Sequence, residues 1–183
     1  LTQPTVYLAC GALAGIGGAF NALSGFVAHL LGQKAGMGVL GTGWMVSTTV
    51  AGFALGAGFW GKVGDSFDKR QLTVKVIPVV LVFIWAWLLV APPAQPILLY
   101  ATLAFCGFLS ASYVLTHQLL SELCAGKAQG STKAAANCGI ALGAASGQMA
   151  QGFMDHGISM LPCMVLAMFG AVCISTMAIR LEK

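Results

Sequence analysis

The chain has 183 residues, of which 58% are hydrophobic and only 8% are charged, and its mean hydropathy is +0.87. Soluble domains carry about 25% charged residues, and a chain of this length cannot bury so much apolar surface in one core. The composition therefore excludes a soluble globular domain and a disordered chain, and it predicts a protein whose solvent is lipid.

Six apolar segments are each long enough to cross a bilayer, for which a helix needs about 20 residues. In chain order they cover residues 5–31, 39–61, 72–91, 97–121, 132–154 and 157–179. Each segment ends where glycine, proline or charged residues stop a helix. None shows the alternation of apolar and polar residues that a barrel strand requires. The sequence therefore predicts an all-α integral membrane protein, with residues 1–183 forming a single bundle of six transmembrane helices.

Lysine and arginine are unevenly distributed between the predicted loops, and such a bias orients a membrane protein. Eight of the nine lie after the second helix, after the fourth helix or near the C-terminus, and Lys34 is alone on the other side. The eight are Lys62, Lys69, Arg70, Lys75, Lys127, Lys133, Arg180 and Lys183. We therefore expect a multi-pass protein with both termini in the cytoplasm. The net charge of +4 then reflects topology, and we expect no nucleic-acid partner.

The charged loop after the second predicted helix contains the run GKVGDSFDKR, which follows the pattern G-x-x-x-D-R-x-G-R-R/K. The matching positions are Gly61, Asp65, Lys69 and Arg70. Ser66 replaces the usual Arg of the pattern, and Asp68 replaces the usual Gly. In this motif and its place between the second and third helices, the chain resembles a six-helix half of a major facilitator superfamily transporter. At subfamily level, residues 64–67 and 121–123 are similar to bacterial lysophospholipid transporters.

This resemblance implies two inverted three-helix repeats and a loop that holds a closed cytoplasmic gate. The implied gate loop consists of Gly61, Asp65, Asp68, Lys69 and Arg70. Gly61 would let two helices approach, and Asp65 would cap a neighbouring helix N-terminus. The two cations would pair with carboxylates or with lipid phosphates. Without the resemblance, the same charges would be a topology anchor.

Glycines spaced four residues apart lie on one helix face and let two backbones pack closely in lipid. The sequence places such glycines in the first, second and fifth predicted helices. They are Gly11 and Gly15, Gly52 and Gly56, and Gly139, Gly143 and Gly147. We expect these positions to pack helices together, with Gly143 facing another helix at close range.

Polar side chains inside a span are the first candidates for function. In the family, the first and fourth helices line a central cavity, so the resemblance makes Asn21, His117 and Gln118 the cavity-lining candidates. The alternative is that each merely forms a hydrogen bond with a neighbouring helix. No Asp, Glu, Lys or Arg lies near the centre of a predicted span, which favours a neutral or amphipathic substrate.

Three functions remain open. The first is one half of a facilitator-type secondary transporter that works by alternating access, as a fragment or as a subunit that pairs with a second six-helix half or another copy. The second is a non-transporting subunit that scaffolds a larger complex of membrane subunits. The third, an integral-membrane enzyme, is the poorest because no catalytic cluster is present. The six cysteines form no C-x-x-C pair, so we expect no metal site and no cofactor.

Overall fold

A computed structural model describes two long stretches of the chain, residues 36–65 and 67–123, and isolated positions on either side. The isolated positions are residues 7, 10, 11, 13–15, 17, 18, 20, 31, 32, 134, 137, 138, 140–145 and 165. All regular secondary structure in these residues is helical, and none of them lies in a strand. The described part of the chain is therefore all-α.

Four helices have both ends within the described residues. In chain order they are α1 (Val39–Val63), α2 (Phe67–Val90), α3 (Pro96–Ser110) and α4 (Tyr113–Leu123). Described positions between residues 7 and 20, and between residues 134 and 145, also have helical backbone. We refer to these as the 7–20 segment and the 134–145 segment.

The described helices lie on three of the six predicted apolar segments. Helix α1 ends at residue 63 rather than 61, and α2 covers residues 67–90 rather than 72–91. The fourth predicted segment, 97–121, is divided between α3 and α4. Most of the other three segments lie outside the described residues, so the count of six helices and the inverted repeats stay predictions.

Glycine and proline determine where α1 and α3 begin. The chain turns before α1 through Gly36, whose φ of +64° is a backbone conformation that glycine adopts without steric cost. Gly38 is the extended N-cap of α1. Helix α3 starts with Pro96, where the missing N–H of proline costs no hydrogen bond.

Among the described residues, two helices are long and apolar enough to cross a membrane. They are α1, with 25 residues, and the helical stretch Pro96–Gln118, with 23 residues, which contains α3 and the start of α4. Only 22% and 44% of their most apolar windows are buried. The outward-facing side chains include Leu55, Phe83 and Ile97, each at least 70% exposed. Such apolar exposure is rare on soluble monomers and is what contact with lipid requires.

The buried core lies mainly between α1, α2 and α3. Its members are Leu31, Met45, Ile77, Leu81, Trp85, Leu88, Leu99, Leu103, Cys106 and Leu109. Helix α1 has one buried face, made of Met45, Thr49, Gly52 and Gly56, and α3 lies along it in the most extensive helix contact of the described helices. This contact brings the second and fourth predicted spans together and sets the position of the site.

Candidate functional site: a cavity beside a broken span

The contact between α1 and α3 is made by small residues that bring the two backbones together. A Cβ atom added to Gly52 would overlap the Ala104 carbonyl, with the carbonyl carbon 2.7 Å away. From the other helix, a Cβ on Gly107 would overlap the Thr49 carbonyl and lie 2.9 Å from the Phe53 nitrogen. Neither position has room for a side chain, because the obstructing atoms belong to backbone.

The helical stretch that continues α3 into α4 is broken at residues 110–112. The Ala111 N–H still donates to the Gly107 carbonyl (3.1 Å), four residues back, as in an α-helix. The Ser112 N–H then donates to the Leu109 carbonyl (3.0 Å), only three residues back. Leu115 likewise donates to Ser112 at 2.9 Å. This tighter turn is of the 3₁₀ type, and it separates α3 from α4.

The break releases one backbone carbonyl, and a tryptophan from α1 binds it. Because Ser112 donates to Leu109, the Phe108 carbonyl loses its usual partner. The indole N–H of Trp60 donates to that carbonyl at 2.7 Å. In lipid, a freed backbone group needs such a partner, because no water is present to replace it. Gly56 leaves the space for this approach, since a Cβ there would overlap the Phe108 oxygen.

Buried hydroxyl groups surround the break. Ser110, Ser112 and Thr116 are each at most 5% exposed. The Ser110 hydroxyl has no hydrogen-bond partner among the described residues, whereas Thr49 on the facing helix donates to the Met45 carbonyl at 2.9 Å. A buried hydroxyl without a partner costs about 1–3 kcal/mol. The break is therefore an unfavourable local arrangement that the surrounding contacts must stabilise.

A row of aromatic rings runs from the 7–20 segment through α1 to α4. The rings of Phe20 and Phe53 stack with centroids 5.0 Å apart and an interplanar angle of 16°. Phe53 and Tyr113 stack at 5.6 Å and 26°. His117 lies edge-on to Tyr113 at 5.4 Å. We call these four residues the ring row.

A cavity of about 660 Å³ lies beside the ring row. Its lining comes from the 7–20 segment, α1, α4 and the 134–145 segment. The lining residues are Gly17, Phe20, Val50, Phe53, Tyr113, Asn137, Ile140, Ala141 and Ala144. The described lining is apolar apart from the Tyr113 hydroxyl and the Asn137 amide, and it contains no charged side chain. A cavity of this size with a few polar groups is typical of sites for small organic ligands.

The three predicted cavity residues occupy different places. His117 belongs to the ring row but is not part of the described cavity lining. Gln118, on α4, packs beside the C-terminal end of α1, where a Cβ on Gly64 would overlap its side-chain oxygen. That oxygen has no hydrogen-bond partner among the described residues. Asn21 lies outside the described residues. Sequence reasoning missed Phe53 and Tyr113, because aromatic residues in so apolar a chain look like ordinary core or lipid-facing positions.

The turn in the predicted gate loop is shorter than expected. Helix α1 continues to Val63 and α2 begins at Phe67, and the described turn residues between them are Gly64 and Asp65. The Asp65 N–H donates to the Lys62 carbonyl at 3.3 Å, and both side chains are exposed. The other three predicted loop residues, Asp68, Lys69 and Arg70, have helical backbone at the start of α2.

The close helix approach in this region occurs at a different glycine from the expected one. Among the described residues, nothing lies within 4 Å of a Cβ placed on Gly61. Gly64 is buried instead, and a Cβ there would lie 3.0 Å from the Leu115 side chain and overlap Gln118. The glycine that brings α1 against α4 is therefore Gly64, three residues beyond the motif position.

The 7–20 and 134–145 segments also meet through glycines. A Cβ on Gly18 would lie 2.8 Å from the Gly143 Cα, and a Cβ on Gly143 would overlap the Ala14 carbonyl. Gly15 is buried and Gly11 is half-buried. Two further predicted packing positions, Gly139 and Gly147, lie outside the described residues.

Comparisons with known proteins identify no relative of this chain: no family model matches it, and neither does any curated protein or solved structure. Within the described residues, no group of three or more His, Cys, Asp or Glu side chains is arranged to hold a metal ion. The features of the described residues that bear on function are the cavity, the break between α3 and α4, and the exposed apolar surface.

Proposed function

We propose that the chain is one six-helix half of a facilitator-type secondary transporter, and that the cavity beside the ring row holds its substrate. The cavity is the observation that carries this proposal. It is bounded by four helical regions that correspond to the first, second, fourth and fifth predicted spans. A space lined by several spans is where a carrier is expected to bind its cargo.

The chemistry of the lining indicates the class of substrate. The described lining offers apolar surface, stacked rings and two uncharged hydrogen-bonding groups, on Tyr113 and Asn137. A charged solute would find no opposite charge there, and burying an unpaired charge is costly. The substrate class that fits is a neutral or amphipathic molecule.

The proposed topology follows from the charge bias. Six spans in two inverted three-helix repeats would put both termini and the turn at Gly64 and Asp65 in the cytoplasm. A second six-helix half, or a second copy of this chain, would then cover the open side of the cavity. The loop residues would hold the cytoplasmic gate through that partner.

A non-transporting scaffold subunit is the alternative from another class. Its apolar surface would be covered by other membrane subunits, and its cavity would be an accidental packing defect. The stacked, largely parallel rings beside the cavity favour transport, because a scaffold has no need of a space that is lined by aromatic rings from several helices.

Uptake into membrane vesicles tests the proposal. Native membrane vesicles from cells that produce the protein, in which its partner half is present, are incubated with a mixture of neutral and amphipathic solutes, and accumulation is measured by mass spectrometry. We expect at least one solute to enter faster than into vesicles without the protein. Phe53→Trp should slow this uptake, because the larger ring projects into the cavity and disturbs the stacking with Phe20 and Tyr113.

The matched control is Leu55→Trp, on the same helix but with a side chain 74% exposed to the surroundings. It should leave uptake unchanged at equal expression. The transport proposal is wrong if no solute enters vesicles with the protein faster than vesicles without it. It is also wrong if the two tryptophan variants transport equally well.

A further inference from the structure

We infer that Trp60 is a positioning residue: its bond to the Phe108 carbonyl holds the break between α3 and α4, and thereby orients Tyr113 beside the cavity. This inference concerns a contact between the second and fourth predicted spans. It goes beyond the proposed function and holds whether or not the cavity takes a substrate.

The first argument is that the break depends on a partner from another helix. Serine hydroxyls often bond back to a carbonyl one turn earlier and bend helices in that way. Ser110 does not act like this, because its buried hydroxyl has no partner among the described residues. The released carbonyl is bound instead by Trp60, 48 residues away in sequence.

The second argument is that the surroundings of Trp60 fit this one geometry. Its ring lies edge-on to Phe59 (5.0 Å, 84°) and against Phe108 (5.6 Å, 51°). Gly56, one turn earlier, has no side chain, and a Cβ at that position would overlap the Phe108 oxygen. Ring packing therefore fixes the indole, and the glycine admits the carbonyl that the indole N–H binds.

The contact between Trp60 and Phe108 lies between the turn that follows α1 and the ring row. Trp60 lies in the last turn of α1, and its own carbonyl accepts the Gly64 N–H at 2.9 Å in the turn that follows. Tyr113, the first residue of α4, lies directly after the break. A movement of the turn at Gly64 and Asp65 would therefore reach the ring row through Trp60.

Hydrogen–deuterium exchange on the full-length protein in lipid nanodiscs tests this inference. Trp60→Phe keeps an aromatic ring and removes the N–H. We expect exchange over residues 109–116 to become about fivefold faster, as the loss of one net hydrogen bond implies. Exchange in the first half of α1 should stay as in the wild type. Trp44→Phe is the control, because Trp44 lies on the same helix and is 62% exposed.

A second pair of variants tests the same contact from the carbonyl side. Gly56→Ala should displace the Phe108 carbonyl while leaving the indole N–H intact, and should speed exchange over the same residues. Gly58→Ala, where nothing lies within 4 Å of the added Cβ among the described residues, should not. If Trp60→Phe fails to fold, the two alanine variants decide the question.

The outcomes separate a positioning role from general stabilisation. Faster exchange confined to residues 109–116, in Trp60→Phe or Gly56→Ala and not in the controls, supports the inference. Unchanged exchange over 109–116 shows that the break does not need the bond and overturns it. An equal rise in all helices shows that Trp60 merely stabilises the fold, and this also overturns it.

Discussion

Two neighbouring faces of α1 are packed in different ways. The glycine face (Thr49, Gly52 and Gly56) meets α3 backbone against backbone, with no space for a single added carbon. The ring face (Val50 and Phe53) borders a cavity of about 660 Å³. Gly52 and Phe53 are adjacent in sequence, yet Gly52 packs against the α3 backbone and Phe53 lines the cavity. A close backbone contact on one face of α1 therefore holds the helix in place while the next face borders a cavity.

The largest expected effect comes from breaking the glycine face. Gly52→Leu drives a side chain into the Ala104 backbone, and overpacking of this kind costs about 1–3 kcal/mol or more. We expect the folded yield after detergent extraction to fall about tenfold, measured by size-exclusion chromatography at equal expression. Gly58→Leu is the control on the same helix, since no described atom lies within 4 Å of its Cβ position. Equal yields for the two variants would contradict the described α1–α3 contact.

A smaller effect is expected on the ring face. Truncating a packed phenylalanine to alanine usually costs about 3–5 kcal/mol. Phe53 already borders a cavity, so we expect Phe53→Ala to cost only about 1–2 kcal/mol, mainly through its two ring contacts. Thermal unfolding in detergent measures the difference. Leu103→Ala, at a position only 4% exposed, should destabilise more, and the reverse order would mean that the cavity is filled.

The smallest effect on folding is expected at the turn between α1 and α2. Asp65 is exposed, so Asp65→Asn should change stability by less than about 0.5 kcal/mol. If the turn is part of a gate, the same substitution should still reduce transport at matched expression. Uptake and thermal unfolding of one preparation separate these two effects.

The alternative reading of the turn predicts the opposite ranking. For a topology anchor, Asp65→Asn behaves like the wild type, because acidic residues contribute little to orientation. Removing Lys69 and Arg70 together then causes misinsertion. That combination of results would end the gate interpretation.

Much of the described helical structure could be predicted from the sequence. Long apolar runs bounded by glycine, proline and charge place α1 within two residues of its observed ends, whereas the start of α2 lies five residues before its predicted position. The break at residues 110–112 could not be predicted, because no glycine or proline lies there. It depends on the indole of Trp60, which comes from a distant part of the chain, and no local pattern contains that information.

The site was harder to predict than the helices. Polarity within a span directed attention to Gln118, which packs against Gly64 instead of lining the described cavity. The rings of Phe53 and Tyr113 carry no polar signal that separates them from other apolar residues. The motif likewise selected Gly61, whereas burial against α4 falls on Gly64. Spacing along one helix identifies a face, but only the neighbouring helix determines which residue on that face makes the close contact.

The backbone contact along the glycine face has a consequence for how the protein responds to cold. Association of helices within lipid depends on close atomic fit, because no water is expelled when the helices meet. Apolar burial in water weakens on cooling through the hydration of the exposed surface, whereas a contact made within lipid has no such contribution. If α1 and the stretch Pro96–Gln118 cross a bilayer, as their length and composition allow, the contact between them should therefore keep its strength at low temperature.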